Sequence, residues 1–257
     1  MSNTVNPLFE RLAMLTGADV LEKLQRTKVL VFGVGGVGSW CAEALVRSGI
    51  GKICIVDSDT VCESNVNRQL QATSQTLGLV KVEVLKERLL EINPQCEVTA
   101  WGKVFSRESA GEFDIENADY VVDAIDSLTH KLDLIEISCS TGVKFFSSMG
   151  MARKMDPTGI KAASIWKTKG CPLARLVRYG LRKRGFRGNF TVVYGEECLD
   201  NIPVNIATEN TDQGANEKGE LNKKMPNGSI VTVTATAGMI LASLILRDVQ
   251  ESLAGRK

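Results

Sequence analysis

Residues 28–59 read KVLVFGVGGVGSWCAEALVRSGIGKICIVDSD, an order of apolar runs and glycines that few folds accommodate. Val29, Leu30, Val31 and Phe32 form the short apolar run that a parallel strand covered on both faces requires, and Gly33 ends it. Gly33, Gly35 and Gly38 match G-x-G-x-x-G, with Gly36 inside the turn. In that pattern the first glycine permits a tight turn, the second lets backbone approach a phosphate and the third lets helix pack on strand. The helix that follows presents free N–H groups at its start. Residues 53–56 form a second strand closed by Asp57, placed where an acid holds ribose hydroxyls. A nucleotide with an unmodified ribose is expected; a purely structural turn is the alternative.

A net charge of +1 confines any nucleic-acid surface to a local patch. With 44% hydrophobic and 24% charged residues, 257 residues can bury one large α/β core. Cys41, Cys54, Cys62, Cys96, Cys139, Cys171 and Cys198 include no C-x-x-C pair, which argues against a disulfide framework or structural zinc. With no signal-peptide pattern at the N-terminus, a reducing cytoplasm is expected. Residues 230–246 resemble a membrane span in composition, but hydroxyl residues interrupt them. They read as a β-branched strand and then a buried helix from Ala237, with no membrane partner.

Taken in order, residues 7–25 predict a helix with Leu8, Leu12, Leu15, Leu21 and Leu24 on its apolar face, interrupted at Gly17. Arg11 on that helix either reaches phosphates, across a dimer interface, or is solvated. Beyond Asp57 come Asp59, Asn65, Arg68 and Gln69, then Lys81 opening a helix with Val84, Leu85, Leu89 and Ile92 inward. Such a polar cluster suits a triphosphate with departing pyrophosphate better than a nicotinamide pocket. Residues 120–126 predict a core strand ending in Asp123 and Asp126. Asp126 either holds Mg2+ with phosphate oxygens or caps the helix that follows.

Strands are expected over 143–146, 160–166 and 191–194. Between the last two lie Lys167, Lys169, Arg175, Arg178, Arg182, Lys183, Arg184 and Arg187, with Leu173, Leu176, Val177 and Leu181 as the buried face of a helix. These cations either track a nucleic-acid backbone or form a solvated face. A polar stretch over 196–228 is too long for a connector and is expected to be mobile until substrate binds. Cys171 and Cys198 are candidate thiol nucleophiles without an evident partner, because His130 is the only histidine. The whole predicts a Rossmann-like, doubly wound, mostly parallel α/β sheet with helices on both faces and a C-terminal extension. Residues 1–257 form one unit, with 1–150 as nucleotide core and 151–257 as the substrate-binding part that completes the sheet.

The glycine turn, Asp57 with Asp59, the Ser-Asn-x-x-Arg-Gln element, Lys81 and the Asp-x-x-Asp strand end resemble the adenylating E1-like superfamily, whose members activate a carboxylate as an acyl-adenylate. The resemblance implies Asp57 on ribose, Asn65, Arg68 and Lys81 on phosphates, Asp126 on Mg2+, and Arg11 supplied by a partner subunit of a homodimer. Ser147-Ser148-Met149-Gly150, Lys154-x-Asp156-Pro157-Thr158, Lys167-Thr168, Pro172-Leu173-Ala174 and Leu181-Arg182-Lys183 extend it to the tRNA threonylcarbamoyladenosine dehydratase family. Met151 and Arg153 depart from that family's pattern after the Met-Gly pair. This resemblance implies ATP and Mg2+, allows a monovalent cation, and implies tRNA carrying threonylcarbamoyladenosine as substrate, which 151–257 would bind, and cysteine-desulfurase-type sulfur-relay proteins as partners. The implied reaction adenylates the threonylcarbamoyl carboxylate and closes a ring with loss of AMP. Two other readings remain open: an activator that adenylates the C-terminus of a ubiquitin-like sulfur carrier, and an NAD enzyme or nucleotide-binding regulator.

Overall fold

The computed structural model describes residues 5–202 and 227–255, so most of the polar stretch expected over 196–228 lies outside the described residues. In chain order the elements are α1 (Glu10–Thr16), α2 (Ala18–Arg26), β1 (Lys28–Phe32), α3 (Gly38–Arg47), β2 (Lys52–Val56), α4 (Lys81–Ile92) and β3 (Glu97–Trp101). There follow β4 (Tyr120–Asp123), α5 (Leu128–Thr141), β5 (Lys144–Ser148), β6 (Ile160–Ser164), α6 (Pro172–Lys183), β7 (Thr191–Gly195) and α7 (Val231–Ala254).

One seven-stranded sheet runs β3-β2-β1-β4-β5-β7-β6. Every pairing is parallel except that of the edge strand β6 with β7. The chain winds outward from β1 through β2 to β3, then crosses to β4 on the other side. Strand order therefore reverses between β1 and β4, and a crevice opens at the carboxyl ends of those two strands, where open α/β sheets take ligands. The sheet carries a core on each face. Leu45, Val46, Val82, Leu85, Leu241 and Ile245 fill one. Phe32, Phe105, Phe113, Leu134, Val177 and Leu181 fill the other, where Phe32 meets Phe105 edge-on at 5.0 Å.

Several expectations are corrected. No strand opens the last element: residues 231–254 form one continuous helix. Its β-branched residues suggest extension, but packing decides. Gly238 lies so close to α3 that a Cβ there would come within 2.5 Å of the Val37 carbonyl, and Thr234 returns its hydroxyl to the Ile230 carbonyl at 3.3 Å. α7 is long and apolar enough to cross a membrane, yet Val233, Ala237, Leu241 and Ile245 are buried in the core.

The N-terminal helix is a 3-10 turn (Pro7–Phe9) followed by α1 and α2, divided at Gly17, whose φ of 90° no helix accommodates. α1 buries nothing, and Leu8 and Leu15, expected on the apolar face, are exposed. On α4 the deepest residue of the first turn is Val82, with Val84 only half-buried. The fourth strand stops at Asp123, and β6 stops at Ser164, whose side chain accepts from the Trp166 N–H and starts a turn. Leu176 is exposed, so Ala174, Val177 and Leu181 make the buried face of α6. β3 has no counterpart among the expected elements; as an edge strand it has no fully buried residue to mark it.

Candidate active site

The glycine turn closes the crevice floor. Gly33 has a φ of 85° and a Cβ there would lie 2.7 Å from the Ala124 carbonyl; at Gly38 it would lie 1.8 Å from the Gly33 carbonyl. Neither position admits another residue, and their closeness brings the N-terminus of α3 to the end of β1. Asp57, just past β2, accepts from the Val34 N–H at 2.8 Å and the Asp59 N–H at 2.9 Å. Burial holds its carboxyl above the usual carboxylate range despite those donors. Each of its oxygens keeps a lone pair for a further donor.

Two cations stand beside the turn and Asp57. Lys81 is the first residue of α4; its N–H bonds to the Asp59 carbonyl at 3.0 Å and its Nζ meets Asp59 Oδ2 at 2.8 Å. The guanidinium of Arg68 donates to the Ser64 carbonyl at 2.7 Å and to Asn67 Oδ1 at 2.9 Å. Burial lowers its affinity for its proton, and the charge of Asp126 works the other way. Asp126 itself is exposed on the turn after β4 and has no hydrogen bond or ion pair among the described residues. Gly36 touches Arg68, with a would-be Cβ 3.2 Å from its Cγ, and Gly35 faces Gln69.

Not every expected residue faces the crevice. Asn65 is buried and accepts from the Cys62 N–H at 3.1 Å, a cap within its own turn. Gln69 is buried with its Oε1 unpartnered. Arg11 is exposed on α1, apart from the other site residues in the hydrogen-bond network. Cys171 is buried beside the Gly150 carbonyl, while Cys198 is exposed.

Three features escaped the sequence reading. Gln71 donates to the Val34 carbonyl at 2.7 Å from a buried position, bracing the glycine turn, and its own Oε1 is unpartnered. Lys131 is completely buried and binds Asp123 at 2.7 Å and the Ser148 carbonyl at 3.0 Å, with Ser147 completing the group at 2.6 Å from Asp123. The other Asp123 oxygen accepts from the Ile125 N–H, which sets the turn that carries Asp126. Asn67 joins the Arg68 guanidinium to the Ser229 carbonyl, 2.8 Å from its Nδ2, just ahead of α7.

The two departures from the family pattern acquire roles. Met151 packs in the core. Arg153 adopts a φ of 61°, donates its N–H to the Gly228 carbonyl at 2.8 Å, accepts from the Leu199 N–H at 2.8 Å, and pairs with Asp200 at 3.0 Å. It thus ties together the two ends of the chain flanking 203–226. In the basic segment, Arg184 is held by Asp133 at 2.7 Å and Glu136 at 2.8 Å, and Arg178 donates to Thr168. Lys167, Lys169, Arg175, Arg182, Lys183 and Arg187 are exposed and pair with no carboxylate among the described residues.

A mostly parallel sheet with a glycine turn at its switch point, an acid closing the next strand and cations beside them defines an α/β protein of the nucleotide-binding type. The chain belongs to the ThiF family, which matches residues 9–256. It is 38% identical over 246 residues to the tRNA threonylcarbamoyladenosine dehydratase of Bacillus subtilis, covering 95% of each chain. The crystal structure of the Escherichia coli tRNA N6-threonylcarbamoyladenosine dehydratase in complex with AMP superposes with a TM-score of 0.85 at 31% identity, over 100% of both chains. The same enzyme in complex with ATP gives 0.84, also at 31% identity.

Proposed function

We propose that this chain is an ATP-dependent tRNA-modifying enzyme that dehydrates threonylcarbamoyladenosine next to the anticodon through a carboxyl adenylate. One observation carries the reading: likeness to the dehydratases runs the length of both chains, through the second half as well as the nucleotide core. The free carboxylate of the threonylcarbamoyl group attacks the α-phosphate of ATP and pyrophosphate leaves. The substrate's own carbamoyl group then attacks the activated acyl carbon, and AMP departs as the ring closes.

Asp57 receives the ribose hydroxyls, and the glycine turn admits the phosphates to the start of α3. Arg68 and Lys81 face the phosphates, while Asn65 shapes the turn that carries Arg68. Arg68 and Lys81 stabilise the charge that develops as pyrophosphate leaves, at about 10²–10³-fold in rate for each such donor. Asp126 fits Mg2+, which takes one or two carboxylates together with phosphate oxygens, and its exposed, unpaired oxygens supply that donor set. When bound, the ion offsets phosphate charge; the positioning falls to the side chains.

No protein thiol is required, in keeping with the burial of Cys171. Seven free cysteines suit a reducing cytoplasm. The exposed face of α1, with Met14 and Leu15 and with Leu8 in the turn before it, is suited to a second copy, which would bring Arg11 to the neighbouring site in a homodimer. The unpaired cations between Lys167 and Arg187 track tRNA phosphates.

The test is to incubate protein, ATP and Mg2+ with tRNA bearing threonylcarbamoyladenosine and to digest it to nucleosides for mass spectrometry. Loss of one water from the modified nucleoside, dependent on ATP, is expected. An unchanged nucleoside with an active preparation would refute the reading.

A further inference from the structure

Between Pro157 and Gly195 the chain carries nine lysines and arginines and no acid. The structure divides those cations. Arg184 and Arg178 serve the fold, while Lys167, Lys169, Arg175, Arg182, Lys183 and Arg187 stay free. Lys161 pairs with Glu196. In the middle of the free set, α6 exposes two large apolar side chains, Tyr179 at 68% and Leu176 at 46%.

Helical spacing sets what surrounds the ring. Arg175 lies one turn before Tyr179, and Arg182 and Lys183 lie one turn after it on the same face. Leu176, three residues earlier, extends the apolar surface beside the ring. Tyr179 has no hydrogen-bond or ring partner among the described residues, whereas Trp166 donates its indole N–H to the Gly188 carbonyl at 2.9 Å and lies beneath Arg182 at 5.5 Å. Cys171, capping the start of α6, touches the Gly150 carbonyl at the carboxyl end of β5, so α6 begins at the sheet edge that holds the crevice.

A bare aromatic ring inside a ring of free cations has the chemistry of a single-stranded RNA platform. Cations hold the phosphates, and a base that is not paired stacks on the ring without regard to its identity. A partner protein surface matched to Tyr179 and Leu176 would need several carboxylates to neutralise the same cations.

We infer that Tyr179 is a base-stacking residue for an unpaired nucleotide of the tRNA, with Leu176 widening the platform and Arg175, Arg182 and Lys183 binding the flanking phosphates. This rests on the tRNA reading of the basic segment and adds to it a preference for loop over duplex.

The test compares the wild type with Tyr179→Ala, Tyr179→Phe and Arg175→Ala, binding an anticodon stem-loop or a blunt RNA duplex of equal length over a salt series. Tyr179 is at the surface, so its variants keep the fold. Tyr179→Ala should weaken stem-loop binding roughly 5- to 150-fold, leave duplex binding and the salt slope unchanged, and be rescued by Tyr179→Phe. Arg175→Ala should weaken both RNAs and lower the salt slope by about 0.7–0.9. Equal stem-loop affinity for Tyr179→Ala and wild type would overturn the stacking role while leaving the phosphate contacts standing. Loss of self-association in Tyr179→Ala with RNA affinity intact would overturn it in favour of a contact between copies. Wild type that binds neither RNA would overturn the tRNA reading and this inference with it.

Discussion

Two lysine–aspartate pairs stand at the carboxyl edge of the same sheet and do different work. Lys131 and Asp123 are sealed, with no exposed side-chain surface on either partner, and Ser147 and backbone groups take up what remains of their bonding capacity. Lys81 and Asp59 sit at the rim, with the lysine buried against the wall and the aspartate facing solvent. A sealed pair holds β4, β5 and α5 in register and cannot meet a ligand. A rim pair keeps donors free for an incoming phosphate, and Asp59 holds the amine in place until one arrives. The basic segment repeats the contrast: Arg184 is bound by two carboxylates on α5, while Arg175 is free.

Removing one charge from each pair should separate these roles. Lys131→Met leaves Asp123 buried without its cation and should cost about 3–5 kcal/mol of stability, read from urea unfolding. Joining Asp123→Leu to it should recover much of that loss, and no recovery would mean that the pair does more than balance charge. Lys81→Met should cost only about 0–1 kcal/mol, yet slow pyrophosphate release about 10²–10³-fold. A large loss of stability in Lys81→Met would erase the distinction between rim and interior.

A smaller effect is expected at Asn67. Asn67→Ala removes one bond to the Arg68 guanidinium and the link to Ser229, so kcat should fall about 2- to 12-fold, as for a net hydrogen bond of ~0.5–1.5 kcal/mol. Unchanged kcat would show that Ser64 alone orients Arg68.

Asp57 at the rim and the buried Glu43 also differ in pH response. Burial raises the folded Asp57 carboxyl, so any stability linked to its proton is full below its unfolded value and lost as pH rises through the folded value. ATP affinity has the opposite sense, because ribose hydroxyls need the ionised form as acceptor: it should begin to fall, on acidification, at a higher pH than an ordinary aspartate would give. Glu43, which burial would raise but which hydrogen bonds from Arg88 and Arg47 bring below its usual value, contributes stability above its unfolded value that is lost as pH falls through the folded one. Glu43→Gln should flatten that acid limb in thermal melts.

The rim was readable in the chain and the interior was not, for a physical reason. Gly33, Gly38 and Asp57 act through local geometry, a turn and a strand end, and local geometry leaves a spacing in the sequence. Asp123 and Asp126 are equivalent on paper, since each is an acid ending an apolar run. Only the position of Lys131, in the first turn of α5, makes one a buried partner and leaves the other free. The same limit explains α7, where valines and threonines suggest a strand and the close approach of Gly238 to α3 makes a helix. Arg184 and Arg175 likewise look alike until Asp133 and Glu136 are seen beside one of them.

The most direct measurement is pyrophosphate release from ATP by purified protein with Mg2+, comparing tRNA that bears threonylcarbamoyladenosine with the same tRNA lacking it. Release stimulated only by the modified tRNA, and abolished by Asp126→Ala with unchanged unfolding, is the predicted result. Release that ignores the modification, or that starts only when a small carrier protein is added, would contradict it.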